Sequence, residues 1–187
     1  EYIRISAEKA EQLRTMSDKM FRYFYVYSKG GEDLNMEMFP AGPFLDQMLG
    51  EYVVLLGENG YQFDIDISDK EAEIYVDLQG MKRITDNVFT NIRKYSDKSK
   101  TIDIRVYIDR RKVRIYFRNY INPEGGKAES THIGTLTCQK MAEEMNGSFT
   151  TCRKGKVYEA TLTLPNMLDN DDSHVPTQGL TAILSRK

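Results

Sequence analysis

Stretches in which apolar residues recur every three or four positions alternate along this chain with stretches in which every second residue is apolar. Residues 2–28 contain neither Gly nor Pro, and Gly30-Gly31 then stops the run. Leu13, Met16, Met20, Phe24 and Tyr27 form a stripe that Ile3 and Ala10 extend, with Glu8, Lys9, Glu11, Arg14, Asp18, Lys19 and Arg22 filling much of the rest. This heptad-like seam predicts a long helix of a coiled coil or bundle. An amphipathic helix lying on its own domain fits less well, because no second helix follows to cover it.

A different rhythm follows. Residues 34–39 read as a short strand, and Pro40 and Pro43 open a helix over about 44–56 with Phe44, Met48, Val53 and Leu56 among its apolar positions. After the turn at Asn59-Gly60, residues 61–67 and 72–78 alternate as strands, the second with Ile74, Val76 and Leu78 on one face. A helix over 84–96 comes next, its stripe running through Met81, Ile84, Val88, Ile92 and Tyr95. Residues 102–108 and 113–118 form a hairpin turned at Asp109-Arg110-Arg111. Residues 119–131 read as loop, broken by Asn122-Pro123 and Gly125-Gly126. A helix over about 133–145 stops at Asn146-Gly147, and 148–152 with 158–164 make a last hairpin across Lys154-Gly155-Lys156. Beyond Pro165 the acidic run Asp169-Asn170-Asp171-Asp172 and the scarcity of apolar residues before Leu180 predict a flexible tail. Strands with one buried face need a layer of helices over that face, so the expected architecture is a two-layer α/β sandwich with three helices. The expected domains are a bundle helix over 1–31, the sandwich over 32–166 and a tail over 167–187.

The helix over 84–96 carries a second pattern. Asn87, Asn91 and Lys94 stand at i, i+4 and i+7 and therefore share a face. Two neutral amides and a cation suit a magnesium-phosphate ligand better than a core, although a solvated face beside a buried one accounts for them equally well when the helix is taken alone.

Composition narrows the classes. The chain has 187 residues, 40% hydrophobic and 29% charged, which is enough for one real core. A net charge of −2 gives no bulk attraction to nucleic acid or an anionic membrane. No apolar run approaches a membrane span, and the first residues do not read as a signal peptide. Cys138 and Cys152 lack a CxxC spacing or a nearby His, which excludes a structural zinc site and predicts reduced core thiols in a cytosolic protein.

Motifs across 1–165 resemble the catalytic, ATP-binding domain of two-component sensor histidine kinases, whose Bergerat-type fold is shared with gyrase and mismatch-repair ATPases. Asn87, Asn91, Lys94, Tyr95 and Ser96 match the family's asparagine box. Ile133-Gly134 and the residues from Thr137 to Gly147 look like its second glycine box and the helix after it, and 158–165 its closing strand. The first helix, with Lys9, Leu13 and Tyr27-Ser28, resembles the second helix of the dimerisation and phosphoacceptor hairpin.

The resemblance implies a mixed sheet, ATP and Mg2+ as ligands, a homodimer formed through the N-terminal helix, and a response regulator as partner, in the cytoplasm or on the cytoplasmic side of a membrane sensor. It implies transfer of the ATP γ-phosphoryl group to a histidine. Asn91 would ligate magnesium, Asn87 would lie one turn earlier at the phosphate end, Lys94 would balance phosphate charge and Tyr95 would pack near the adenine, with Arg93 facing solvent. Asn119, Ile121, Thr131, His132, Ile133 and Gly134 would line the rest of the nucleotide site.

Three departures qualify this. Asn119 stands where the family has an Asp that accepts from the adenine amino group, and Tyr120-Ile121 follow where Asn-or-Gly and Gly are usual. The segment 119–131 is short for an ATP lid and lacks a phenylalanine motif. His132 replaces a Gly of the phosphate loop, and Thr135 a Leu. The only histidines, His132 and His174, sit in no acceptor motif, so the chain reads as a piece beginning after the acceptor helix. The alternative implied by these departures is a degenerate relative with weak or no ATP binding that acts as a dimerising signalling module. A gyrase-like ATPase clamp fits less well, because Asp86 lies off the asparagine face and leaves no acidic base there.

Overall fold

The computed structural model describes residues 34–122 and 133–168. The expected N-terminal bundle helix and most of the expected tail lie outside the described residues, as do Thr131 and His132. Ten elements follow in order: β1 (Met36–Pro40), α1 (Ala41–Gly57), β2 (Phe63–Ile67), β3 (Glu73–Asp77), α2 (Leu78–Tyr95), β4 (Ile102–Ile108), β5 (Lys112–Tyr120), α3 (Ile133–Glu144), β6 (Ser148–Lys154) and β7 (Val157–Pro165).

Five strands form one sheet in the order β2-β4-β5-β7-β6, and β1 pairs with β3 in a separate two-stranded sheet. Only β2 and β4 run parallel; the other neighbours in the five-stranded sheet are antiparallel. The sheet is therefore mixed, and with the three helices it makes the expected two-layer α/β sandwich.

The alternation read from the sequence decides the buried face. Ile102, Ile104, Val106 and Ile108 of β4, Val113, Ile115 and Phe117 of β5, and Ala160, Leu162 and Leu164 of β7 are all buried. Register stacks them across strands, Ile104 opposite Phe117 and Ile115 opposite Leu162. A slip of one residue would turn every one of these side chains to water, so burial itself holds the register. The outer face is polar and paired. Arg118 meets Asp103 at 2.9 Å, Arg105 meets Asp64, and the Tyr116 hydroxyl donates to Glu159 at 2.7 Å. Burial first, then Glu159, pushes the Tyr116 hydroxyl up to about 12. Such surface pairs add little stability but keep this face free of apolar patches.

Helix α2 begins six residues earlier than the pattern suggested. Asp77 caps it, its carboxylate accepting from Gly80 N at 2.5 Å and from Asn35 N at 2.9 Å. One side chain thus satisfies an orphan donor of the first turn and ties down the chain just before β1. Leu78, expected to share a strand face with Ile74 and Val76, is instead the first helical residue and is exposed. Asp77→Ala should lower the unfolding free energy by about 1–3 kcal/mol, because it removes a cap and leaves two donors without their partner. Urea denaturation checks this, and Asp77→Asn, which keeps an acceptor oxygen, should recover part of the loss.

Two further expectations are corrected. Helix α1 starts at Ala41 rather than Phe44, and its buried line is Ala41, Leu45, Leu49 and Leu56, with Phe44, Met48 and Val53 only partly buried. Cys138 is a buried thiol as expected, but Cys152 is exposed. It lies on β6, the sheet's edge strand, where Phe149 is the one buried residue.

Candidate functional site

The polar face of α2 is graded in depth. Asn87 is buried, Asn91 half-buried and Lys94 exposed, while Tyr95 is half-buried and Arg93 faces solvent. The grading follows from geometry: α2 lies with its stripe of Met81, Ile84, Val88 and Ile92 in the core, and the neighbouring face emerges toward its C-terminus.

Asn87 is held from two sides. Its Nδ2 donates to the Arg83 carbonyl one turn back, at 2.8 Å. Its Oδ1 lies against Gly134, where a Cβ would stand 3.0 Å away. Glycine at 134 therefore lets the first turn of α3 approach the asparagine face of α2, and the structure brings together two sites that stand 47 positions apart (134 − 87) in the sequence. Ile133, beside it, is half-buried, and its carbonyl accepts from the Thr137 hydroxyl at 2.8 Å.

At the other end of α2 the chain leaving β5 is sewn to the helix terminus. Asp97 N donates to the Tyr120 carbonyl and Asn122 N to the Tyr95 carbonyl, both at 2.8 Å. Ser96 and Ile121 form an antiparallel bridge, and Ile121 N donates to the Lys156 carbonyl at 2.7 Å. Tyr61 adds a brace, its hydroxyl donating to the Arg93 carbonyl at 2.8 Å, one of the carbonyls a helix end leaves without an intrahelical partner. These bonds gather Tyr95, Ser96, Asn119 and Ile121 into one corner.

Asn119, expected to begin a loop, belongs to β5 and is 4% exposed. It continues the inward-facing series of Val113, Ile115 and Phe117 and stands opposite Tyr158 of β7. Burial pushes the Tyr158 hydroxyl up, and hydrogen bonding to Thr151 and Thr135 opposes that shift. Tyr158 thereby links the sheet under Asn119 to the first turn of α3.

Two residues at this corner carried no assigned role in the sequence. Tyr158 lay in a strand that looked merely apolar and alternating. Ser96 closed the asparagine-box match without a function. It is 6% exposed, and its Oγ has no hydrogen-bond partner among the described residues.

Among the described residues, no group of three or more His, Cys, Asp and Glu could hold a metal ion. A magnesium ion shared with a phosphate ligand does not need one, since it takes few protein oxygens and completes its shell with phosphate oxygens and water. The Asn91 amide is a hard oxygen donor of the right kind, so the residues present fit a magnesium nucleotide.

No family model matches the chain. Over 165 residues it is 27% identical to the sensor histidine kinase YrkQ of Bacillus subtilis (strain 168), a match covering 88% of this chain and 38% of that protein. The chain thus spans well under half of this relative's length. Among solved structures, histidine kinase ThkA in complex with the response regulator protein TrrA matches with a TM-score of 0.65 and 20% identity, over 91% of this chain and 52% of that one. The catalytic domain of ThkA alone matches over 98% of its length and 71% of this chain, with a TM-score of 0.56 and 18% identity. Full-length ShkA in complex with AMPPNP gives a TM-score of 0.66 at 13% identity, over 88% of this chain and 38% of that one. By sequence this chain is a homologue of a sensor histidine kinase, and by structure it has the fold of a histidine kinase catalytic domain.

Proposed function

We propose that this chain is the ATP-binding, kinase-side part of a two-component sensor histidine kinase. The observation that carries the reading is the meeting of Asn87 with Gly134 one turn before Asn91, with Lys94, Tyr95 and Asn119 gathered at the C-terminal end of the same helix. A nucleotide laid along α2 would find Asn91 and the Asn87–Gly134 contact on one side, and a cation, an aromatic ring and a buried amide at the helix's C-terminal end. Further support comes from the ThkA structure, solved with a response regulator, and the ShkA structure, solved with AMPPNP.

Each residue has a distinct task in this reading. The Asn91 carbonyl oxygen would hold magnesium, which when bound neutralises charge on the phosphate oxygens. The Lys94 ammonium would add a mobile positive charge. Backbone N–H groups of the first turn of α3 would receive phosphate oxygens. The reaction is attack of a histidine imidazole nitrogen on the γ-phosphorus, with loss of the bond to the β-phosphate oxygen and departure of ADP. The chain's own residues contribute positioning and charge stabilisation rather than covalent chemistry. The acceptor histidine is supplied by a segment other than those holding His132 and His174. Dimerisation through the helix expected over 2–28, relay to a response regulator and a cytoplasmic location complete the proposal. Among the described residues, no helix is long and apolar enough to cross a membrane.

Thermal unfolding tests the reading. AMPPNP with magnesium at about one hundred times its Kd should raise Tm by about 5–10 °C, the equivalent of about 2.7 kcal/mol. EDTA should remove most of that shift, and Asn91→Ala should abolish its magnesium dependence. No shift at millimolar nucleotide would sink the ATP reading and favour the dimerising module that has lost nucleotide binding.

A further inference from the structure

We propose that the free edge of β6 is a self-docking surface, where a second copy of this chain adds its own β6 antiparallel about a two-fold axis and joins the two five-stranded sheets into one. This contact goes beyond the nucleotide reading and does not depend on it. It is also separate from the dimer expected through the helix over 2–28.

The edge is open. Among the described residues β6 pairs with β7 alone, so every second residue turns its N–H and C=O away from the sheet. Six of its seven residues are exposed, and it contains no Pro, no Gly and no carboxylate. Proteins usually protect long edges with such residues, because an open edge is a template for another strand. Other edges of this fold are protected in that way. β2 carries Asp64 and Asp66, and any two-fold pairing of β2 that keeps the sheet faces matched sets one of these carboxylates against another. β1 ends in Pro40, which has no N–H to donate.

The charge pattern selects a second copy as the occupant. Centring the pair on Thr151 sets Ser148 against Lys154 of the second copy, Phe149 against Arg153 and Thr150 against Cys152, so no like charges face each other. Phe149 is buried and stands opposite Leu162 of β7, so Thr151 and Arg153 share the helix-covered face, while Thr150, Cys152 and Lys154 share the outer one. On the helix side the two ends of β6 carry opposite charge. Glu143 and Glu144 close α3 just before β6 begins, and the exposed Arg153 lies at the strand's far end. Antiparallel pairing brings each Arg153 toward the other copy's α3 terminus, where two carboxylates and the negative end of the helix all attract a cation. The two-fold axis makes this attraction twice. A parallel arrangement would instead set acid against acid and base against base.

Disulfide trapping in the full chain tests the proposal. Directly opposite residues on antiparallel strands lie about 4.5–5.5 Å apart at Cα, a separation that a disulfide bridges. The substitution Thr150→Cys places a thiol opposite the exposed native Cys152 of the second copy. Under mild oxidation this variant should form a disulfide-linked dimer, with 150 joined to 152 by peptide mapping. It should do so at least about tenfold faster than Tyr107→Cys, whose exposed site on β4 reports random collision. Arg153→Glu in the Thr150→Cys background should slow trapping at least about fivefold, and adding Glu143→Lys should restore it. Trapping of Thr150→Cys no faster than that of Tyr107→Cys overturns the self-docking and leaves the edge to a strand of another protein. Trapping that ignores Arg153→Glu, or that Glu143→Lys fails to restore, overturns the charge-matched pairing.

Discussion

Phe89→Ala should lower the unfolding free energy by about 3–5 kcal/mol, at the upper end of what one buried side chain contributes. Phe89 is 3% exposed and stands where α1, α2 and the sheet converge. Its ring stacks on Tyr52 of α1 at 4.7 Å between centroids, with the planes 11° apart. Phe63 of β2 lies 6.2 Å away, and Phe117 of β5 meets it edge-on at 6.0 Å. Three elements thus bear on one ring, so truncation leaves a cavity that none of them can close without losing its own contacts. Tyr52 is itself fixed, its hydroxyl donating to Asp86 at 2.5 Å, and burial followed by that carboxylate pushes its ionisation upward. Urea denaturation measures the effect, and Phe89→Leu should cost about half as much. A loss below about 1.5 kcal/mol for the alanine variant would mean that the cluster repacks and is not the keystone of the helix layer.

Gly147→Ala should cost about 2–3 kcal/mol by overpacking, from the addition of one methyl group. A Cβ at Gly147 would stand 2.3 Å from the Thr163 carbonyl oxygen, with Leu164 Cδ2 at 3.1 Å and the Ala142 carbonyl at 3.2 Å. The nearest atom is backbone in the paired part of β7, so no side chain can swing aside to relieve the clash. The position closes α3: Asn146 takes a positive φ of 58°, and Gly147 N donates back to Ala142 O at 2.7 Å. Here the chain must leave the helix and enter β6 directly against its neighbour. Gly50→Ala is the control. That glycine lies inside α1 with nothing within 4 Å of an added Cβ, so the same substitution should stabilise by about 0.5–1 kcal/mol. Equal effects at the two sites would show that helix propensity rather than close approach governs both.

The local order of elements was legible because period-2 and period-3.6 patterns report burial directly. The strands β2 to β5, the helix stop at Asn146-Gly147 and the last hairpin all lie within a few residues of where the pattern puts them. The misses have physical reasons. Leu78 completes an apolar alternation, yet Asp77 ends the strand by capping a helix, and a cap depends on where the carboxylate's donors sit. Cys152 was read as core because its strand alternates, but β6 lies at the sheet's edge, and edge position is a property of strand order.

The same division runs through the site. Sequence spacing alone determines that Asn87, Asn91 and Lys94 share a face, since any α-helix places i, i+4 and i+7 together. Tertiary structure decided that this face runs from the interior to water, because depth depends on what packs against the helix. It also decided that Gly134 meets Asn87 and that Ser96 pairs with Ile121. Those contacts join residues tens of positions apart, and they form only when the sheet and helices close on a common core, which no local pattern encodes.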